Sequence, residues 1–331
     1  PADYRCFEEH GLLTERNAVI RLSDGVHIYA DIHRPSRVAT DLPVLLAWGP
    51  YGKHGRSNQV FWPASGVVPE WLSPLTPFEA PDPVFWCSRG YAVASVDPRG
   101  AWLSEGVFHH NGDQESRDCA ETVEWLASQP WSNGKIGMTG NSYVGATQHL
   151  AAMSQSPHLT TVIPSNPSIN HGIGSVIYGG AFRLRVVNWV VGNAANSSLS
   201  RDPAYKEALQ RQAGQKEYYL THMPLRRGTT PLRIIPEYEN MIVDMLEHRR
   251  NDEFWRFSNI IDYVDEHKDI PVFMVGGWYD LFSTSTTETY MALKETNKAP
   301  THLIMGPWPH SPTRVGLPYA LSEHSKFKNG L

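Results

Sequence analysis

Lys135 to His149 read KIGMTGNSYVGATQH, with Ser142 two residues after Gly140 and three before Gly145. Lys135 to Thr139 form a short strand pattern, and Gly140 punctuates it. Tyr143 to Met153 then run through small and apolar residues with no breaker until Pro157. A strand, a sharp turn bearing a serine and then a helix is the setting of a nucleophile elbow, in which glycines admit close backbone approach. The common spacing is G-x-S-x-G, and here the second glycine arrives one residue late. A glycine-rich strand-to-helix loop without chemistry would use the same letters, so residues elsewhere must decide between the two readings.

Outward from this stretch the chain alternates. Asn17 to Leu22 and Val26 to His33 flank Asp24-Gly25 as an antiparallel hairpin. Leu42 to Trp48, Tyr91 to Val96, Lys135 to Thr139, Thr161 to Ile163, Pro271 to Val275 and Thr301 to Met305 are short apolar runs that suit strands buried on both faces. Between them Asp113 to Ser128 is the clearest helix, with Cys119, Val123, Leu126 and Ala127 on one side and acids toward its start. Strand and helix in alternation imply an α/β class, a mainly parallel sheet covered by helices and extended at one edge by the hairpin.

Two stretches break the alternation. Ser57 to Pro83 holds six prolines and four aromatic residues and reads as a long ordered loop laid over the surface. Asn166 to Asp262 has no convincing strand and is rich in helix formers, tryptophan, tyrosine and arginine, which predicts a helical insertion between two sheet strands. Such insertions lie beyond the carboxyl ends of strands, where open α/β sheets bind ligands, so a cap is expected, with a purely structural elaboration as the alternative. The expected organisation is a core of residues 1–165 and 263–331 with a helical cap over 166–262.

Composition narrows the functional classes. The 331 residues are 41% hydrophobic and 19% charged with a formal net charge of -5, and no basic run or interleaved basic and aromatic stripe points to nucleic acid. No apolar stretch approaches the ~18 residues of a bilayer span, and PADYRCFEEH lacks the two halves of a signal peptide. A cytoplasmic location is the resulting expectation, with secretion left open because the chain begins at Pro1. Cys6, Cys87 and Cys119 show no C-x-x-C spacing, so inert thiols are expected in place of disulfides or zinc. His109-His110 lack a second ligand cluster at a useful spacing, and no metal or cofactor is expected. Asn196-Ser197-Ser198 fits a glycosylation acceptor, relevant only to a secreted chain.

If Ser142 is a nucleophile it needs a base and an orienting acid, which the strand-to-helix elbow takes in the order Ser, Asp or Glu, His. PVFMVGGWYDLF carries Asp280 just after one apolar strand, and THLIMGPWPH carries His310 just after the next. An aspartate after a strand is often a turn residue, and one histidine among fifteen is often merely solvated. Three required types in the required order, each at the carboxyl end of a predicted strand, outweigh those separate readings. For the developing oxyanion the Tyr143 amide is one donor and the phenol of Tyr51, in LLAWGPYGKH, a second, unless Tyr51 is only a stacked surface ring. Trp62, Trp86, Trp189, Trp255 and Phe282 suit an aromatic or apolar substrate group. Phe282, two residues after Asp280, is expected nearest to it, with Trp189 and Trp255 as further substrate contacts.

PVLLAWGPYGKH, GYAVASVDPRGAWLSEG, GKIGMTGNSYVGATQ, GGWYDLF and GPWPHS, in this order, resemble the cocaine esterase family of serine hydrolases, related to the α-amino acid ester hydrolases and X-prolyl dipeptidyl aminopeptidases. The resemblance covers roughly residues 17 to 311 and is loose over the insertion. It implies an α/β-hydrolase fold and an elbow of the form G-x-S-Y-x-G, so the late glycine becomes the family's own spacing. Ser142, Asp280 and His310 fall on the family's triad, and Tyr51 and the Tyr143 amide on its oxyanion hole. The DPRG stretch falls on a non-catalytic part, so Asp97 and Arg99 are expected to be structural and charge-paired.

The chain departs from the family in two ways. The proline-rich stretch after Tyr51 looks longer. Family members also continue past the histidine into a β-rich jelly roll, absent here, so the chain is expected to be part of a longer polypeptide and otherwise to self-associate as a homo-oligomer. The expected function is hydrolysis of a small-molecule ester through an acyl-enzyme. One alternative is an X-prolyl dipeptidyl peptidase or α-amino acid ester hydrolase acting on an amide or amino ester, with Glu237, Glu239, Asp244 or Glu247 pairing with a substrate ammonium. The other is a catalytically silent binding or accessory protein.

Overall fold

The computed structural model describes residues 3–37, 40–58, 69–110, 112–200, 202–213 and 221–310, and the backbone of 319–321 and 326–328. Its centre is a nine-stranded sheet built from β1 (Arg5–Glu9), β2 (Leu12–Arg21), β3 (His27–Pro35), β4 (Leu42–Trp48), β5 (Ala92–Asp97), β6 (Ser132–Asn141), β7 (Leu159–Ser165), β10 (Val272–Gly277) and β11 (Thr301–Gly306). The order is β1-β2-β3-β5-β4-β6-β7-β10-β11. The pairs from β1 to β5 are antiparallel, and every pair from β5 to β11 is parallel. The apolar runs produce this because Val44, Leu46 and Trp48 of β4 and all of β5 are buried, as strands covered on both faces must be. This is the α/β-hydrolase fold. The hairpin forms its antiparallel edge, lengthened by β1, which has no counterpart in the sequence reading.

Helices α1 (Pro83–Cys87), α2 (Asp113–Ala127), α3 (Ser142–Met153) and α7 (Ser283–Thr296) accompany the sheet. Cys119, Val123 and Leu126 of α2 are buried as expected, and Cys87 also is buried while Cys6 is exposed. From Ser142 to Ala152 every residue of α3 is buried, Thr147, Gln148 and His149 included, so its small and apolar pattern reflects an interior helix.

Between β7 and β10 the chain forms a π turn (His171–Ser175), a two-residue hairpin of β8 (Ile177–Tyr178) and β9 (Ala181–Phe182), α4 (Arg185–Ala194), α5 (Pro203–Ala213), α6 (Pro236–Glu247) and short 3-10 turns. The small hairpin corrects the expectation of no strand there. Val187, Val190, Val191, Leu232, Ile235, Tyr238, Ile242 and Trp255 of this insertion join Ala47, Tyr51, Tyr143 and Val144 in one buried cluster. The insertion and the carboxyl edge of the sheet therefore share a core, and the site lies on their seam.

Three local expectations change. Asp97 and Arg99 are both buried ions but do not pair with each other: Asp97 takes Lys53 at 2.9 Å, whereas Arg99 forks onto Asp118 at 2.7 and 2.9 Å and reaches Asp24 at 2.8 Å. Asn196 is buried and donates to the Gly192 carbonyl, so it is not a surface acceptor for a glycan. The proline-rich loop does not simply lie over the surface, since Leu75 and Thr76 are buried. Trp62 lies outside the described residues.

Candidate active site

Strand β6 ends at Asn141, and Ser142 follows with φ of +56°, a left-handed conformation unusual for a side-chain-bearing residue. α3 begins at once, so the Tyr143 N–H lies in the first turn, where a helix has no carbonyl of its own to offer its N–H groups. The late glycine now has a physical reason. A Cβ on Gly145 would lie 2.9 Å from the Ser165 carbonyl and 3.2 Å from Pro167 Cα, so this is where α3 presses against the chain leaving β7. The residue two after the serine is Val144, and it fits because Gly49 opposite has no side chain: a Cβ there would stand 2.7 Å from Val144 Cγ2.

The three residues expected to cooperate meet. His310 Nε2 lies 2.9 Å from Ser142 Oγ, and His310 Nδ1 lies 2.7 Å from Asp280 Oδ2. The Asp280 side chain is sealed from solvent and its other oxygen accepts the Phe282 N–H, so both oxygens are held. Two asparagines brace the strand ends. Asn141 donates to the His310 carbonyl at 3.3 Å, and Asn166 donates to Asn141 Oδ1 at 3.3 Å while accepting the Gly277 N–H at 2.9 Å. Neither was anticipated, because an asparagine after a strand reads as an ordinary turn residue.

Tyr51 is buried, and its phenolic oxygen accepts the Trp189 indole N–H at 2.9 Å. Trp189 also stacks on Tyr143 at 5.5 Å, and the Tyr143 hydroxyl is anchored on Glu115 at 2.7 Å. Phe282 stands edge-on to His310 at 4.9 Å, beneath the exposed guanidinium of Arg185 at 5.7 Å. His110 stacks on His171 at 4.7 Å and meets Trp189 at 4.9 Å, and burial lowers the pKa of both histidines. Trp255 stands further back. It is buried, perpendicular to His171 at 6.2 Å, with its indole N–H donated to the His248 carbonyl.

The acids expected to await an ammonium are committed elsewhere. Asp244 and Glu247 pair with Arg227, Glu239 holds Thr230 and the Gly228 amide, and Glu237 is exposed. The carboxyl that does reach the site is Glu79, from the proline-rich loop. Its backbone has φ of +62°, and its carbonyl accepts the Asn141 N–H at 3.0 Å, which seats it on the residue before the serine. Its side chain faces the Ser142 hydroxyl, the Tyr143 N–H, the Tyr51 phenol and Arg185. These approaches are loose, for Oε2 is closed off from water without a full hydrogen bond. Burial raises this carboxyl to about 8, with Arg185 and the three donors pulling the other way. The sequence carried one signal: Glu79 is the single acid between Trp71 and Pro81.

No group of three or more histidine, cysteine, aspartate or glutamate side chains among the described residues is arranged to hold a metal ion, His109-His110 included. No helix among them is long and apolar enough to cross a membrane.

A family model described as X-Pro dipeptidyl-peptidase (S15 family) matches residues 24–312. The chain is 30% identical over 311 residues to the cocaine esterase of Rhodococcus sp. (strain MB1 Bresler), covering 89% of this chain and 48% of that protein. In structure it is similar to a CocE/NonD family hydrolase from Staphylococcus aureus, with a TM-score of 0.70 and 23% identity over 92% of this chain and 48% of that one. An α-amino acid ester hydrolase is similar at a TM-score of 0.64 and 24% identity, over 90% and 48% of the two chains. The chain thus spans about half the length of these relatives.

Proposed function

The chain belongs to the S15 family of X-Pro dipeptidyl-peptidases, and from that premise we propose that it is a serine hydrolase cleaving a carboxylic ester through an acyl-enzyme. The observation that carries this reading is the line of contacts from Ser142 Oγ to His310 Nε2 at 2.9 Å and from His310 Nδ1 to Asp280 at 2.7 Å. His310 takes the proton of Ser142 as the oxygen bonds to the ester carbonyl carbon, and Asp280 holds the imidazole tautomer and balances the imidazolium. The carbonyl electrons move onto oxygen, which turns toward the Tyr143 N–H and the Tyr51 hydroxyl. Collapse expels the alcohol, which takes the proton from His310. Water repeats the sequence on the acyl-enzyme and releases the acid.

Phe282 and Trp189 border the substrate group, with residues 166–262 as a helical cap over them. Trp255 supports His171 from behind. A small apolar or aromatic ester suits this lining. The dipeptidyl peptidase reading keeps the same triad, but Asp244, Glu247 and Glu239, three of the α6 acids that would have received an ammonium, are engaged with Arg227 and Thr230.

A fluorophosphonate probe followed by peptide mapping, combined with a panel of chromogenic esters and X-Pro anilides, tests the proposal. The expected results are modification on Ser142, ester turnover abolished in Ser142→Ala, and little anilide cleavage. Labelling elsewhere in active enzyme would sink the triad, and preferred X-Pro anilide turnover would replace the esterase by the peptidase.

A further inference from the structure

The oxyanion site is a small space bounded by two donors and the nucleophile, and in this chain a side chain already points into it. Three observations concern its occupant. The Glu79 carboxyl faces the Tyr143 N–H, the Tyr51 phenol and the Ser142 hydroxyl together, which are the groups that a substrate carbonyl oxygen and carbon must meet. Its backbone is fixed above the elbow through the Asn141 N–H, and a Cβ on Gly140 would come within 2.9 Å of the Glu79 carbonyl, so the loop sits tightly on the strand end. The residue also holds a left-handed backbone, φ +62°, a strained conformation for a side-chain-bearing residue that persists only where the surroundings enforce it.

We infer that Glu79 is an internal competitor for the oxyanion pocket: its carboxyl occupies the space between Ser142, the Tyr143 amide and the Tyr51 phenol, and substrate must displace it before acylation. This inference rests on the nucleophile and donor assignments proposed above. Displacement is feasible because the carboxyl is poorly held. Oε2 is buried without a full hydrogen bond, so a substrate oxygen placed at the two donors by a rigid carbonyl competes against a weakly satisfied group. Arg185, at the mouth over Phe282, is the cation toward which the freed carboxyl can turn.

Protonation tunes the competition. The groups facing Glu79 are Arg185 from α4, Ser142 and Tyr143 at the start of α3, Tyr51 after β4, and His310 through Ser142. Burial outweighs Arg185 and the three donors and raises the seated carboxyl to about 8, so ionisation makes its buried position costlier. Self-occupancy therefore weakens as the medium becomes alkaline.

Fluorophosphonate labelling reads this directly. The Ser142 oxygen bonds to phosphorus, fluoride leaves, the serine proton passes to His310, and the phosphoryl oxygen takes the oxyanion pocket. The second-order labelling rate is measured for the wild type, Glu79→Ala and the near-isosteric Glu79→Gln, at about pH 6 and about pH 9.5, to either side of the buried carboxyl's titration. Glu79→Ala is expected to label about three- to tenfold faster, the rate equivalent of one ordinary hydrogen bond. The ratio of Glu79→Gln to wild type is expected to fall as pH rises, because only the wild-type carboxyl ionises and is then displaced more readily. Two variants that keep a wild-type melting transition and label no faster would overturn the inference, leaving Glu79 as a wall or as a third donor. Should Glu79→Ala fail to fold, the pH trend of Glu79→Gln decides alone. Absence of any Ser142 labelling in the wild type would overturn the hydrolase reading, and this inference with it.

Discussion

The Trp189 indole donates to the Tyr51 phenolic oxygen at 2.9 Å, joining helix α4 of the insertion to the loop after β4. The phenol accepts from the insertion and also faces the Glu79 carboxyl. Burial and the nearby Glu79 raise its pKa well above the ordinary value, so Tyr51 stays a proton donor throughout the working range.

Tyr51→Phe is therefore expected to lower the single-turnover acylation rate by about 10²- to 10³-fold, the usual effect of removing one oxyanion donor, with substrate affinity little changed. Trp189→Phe keeps the phenol but loosens its aim and should lose about tenfold or less. Rapid-quench measurement of acyl-enzyme formation separates the two. A change in affinity alone for Tyr51→Phe would make it a pocket wall.

Asp280→Asn keeps the shape of the buried side chain but offers the His310 Nδ1 side a donor where an acceptor is needed. The wrong tautomer then faces Ser142, and turnover is expected to drop by roughly 10⁴-fold, the effect known for the equivalent change in a serine protease triad. Melting temperature and steady-state rate, measured together, check it. A loss below about tenfold would show that another carboxylate orients the histidine.

Gly49 and Val144 should be energetically coupled. Gly49→Ala puts a methyl 2.7 Å from Val144 Cγ2 and is expected to destabilise the protein by about 1 to 3 kcal/mol, as overpacking does. Val144→Ala alone leaves a small void, and the double variant should recover most of the Gly49→Ala loss. A denaturant-unfolding double-mutant cycle gives the interaction energy. Simple additivity would show that the contact is relieved by backbone movement.

Glu79 makes stability fall with pH. Its carboxyl is raised from an ordinary 4.5 to about 8, so the folded state binds the proton more tightly than the unfolded chain. Its contribution is fully present below the lower value, declines as pH rises between the two, and is lost above the upper. Glu79→Gln cannot ionise, and its melting temperature relative to wild type should climb over that window and then level off. A flat difference would mean that the carboxyl titrates in an ordinary solvated setting.

The sequence by itself determined the sheet and the three residues at its strand ends. Apolar runs the length of a strand must be buried, and the period of the intervening helices leaves few ways to cover them. Ser142, Asp280 and His310 each follow such a run, so their meeting at one edge of the sheet follows once the strands are parallel. The tertiary structure decided what local pattern does not encode. Glu79 enters the site because a proline-stiffened loop about sixty residues before the serine folds back onto Asn141, a contact without sequence period. Asn141 and Asn166 join the ends of β6, β7 and β10 and the loop after β11 through side-chain amides that look like turn residues in one dimension. Asp244, Glu247 and Glu239 of α6 turn to Arg227 and Thr230 because helix rotation and neighbouring chain, not residue type, select which partner a charge meets. Local propensity acts over a few residues, whereas a site assembled from five loops is set by the packing that brings those loops to a common edge.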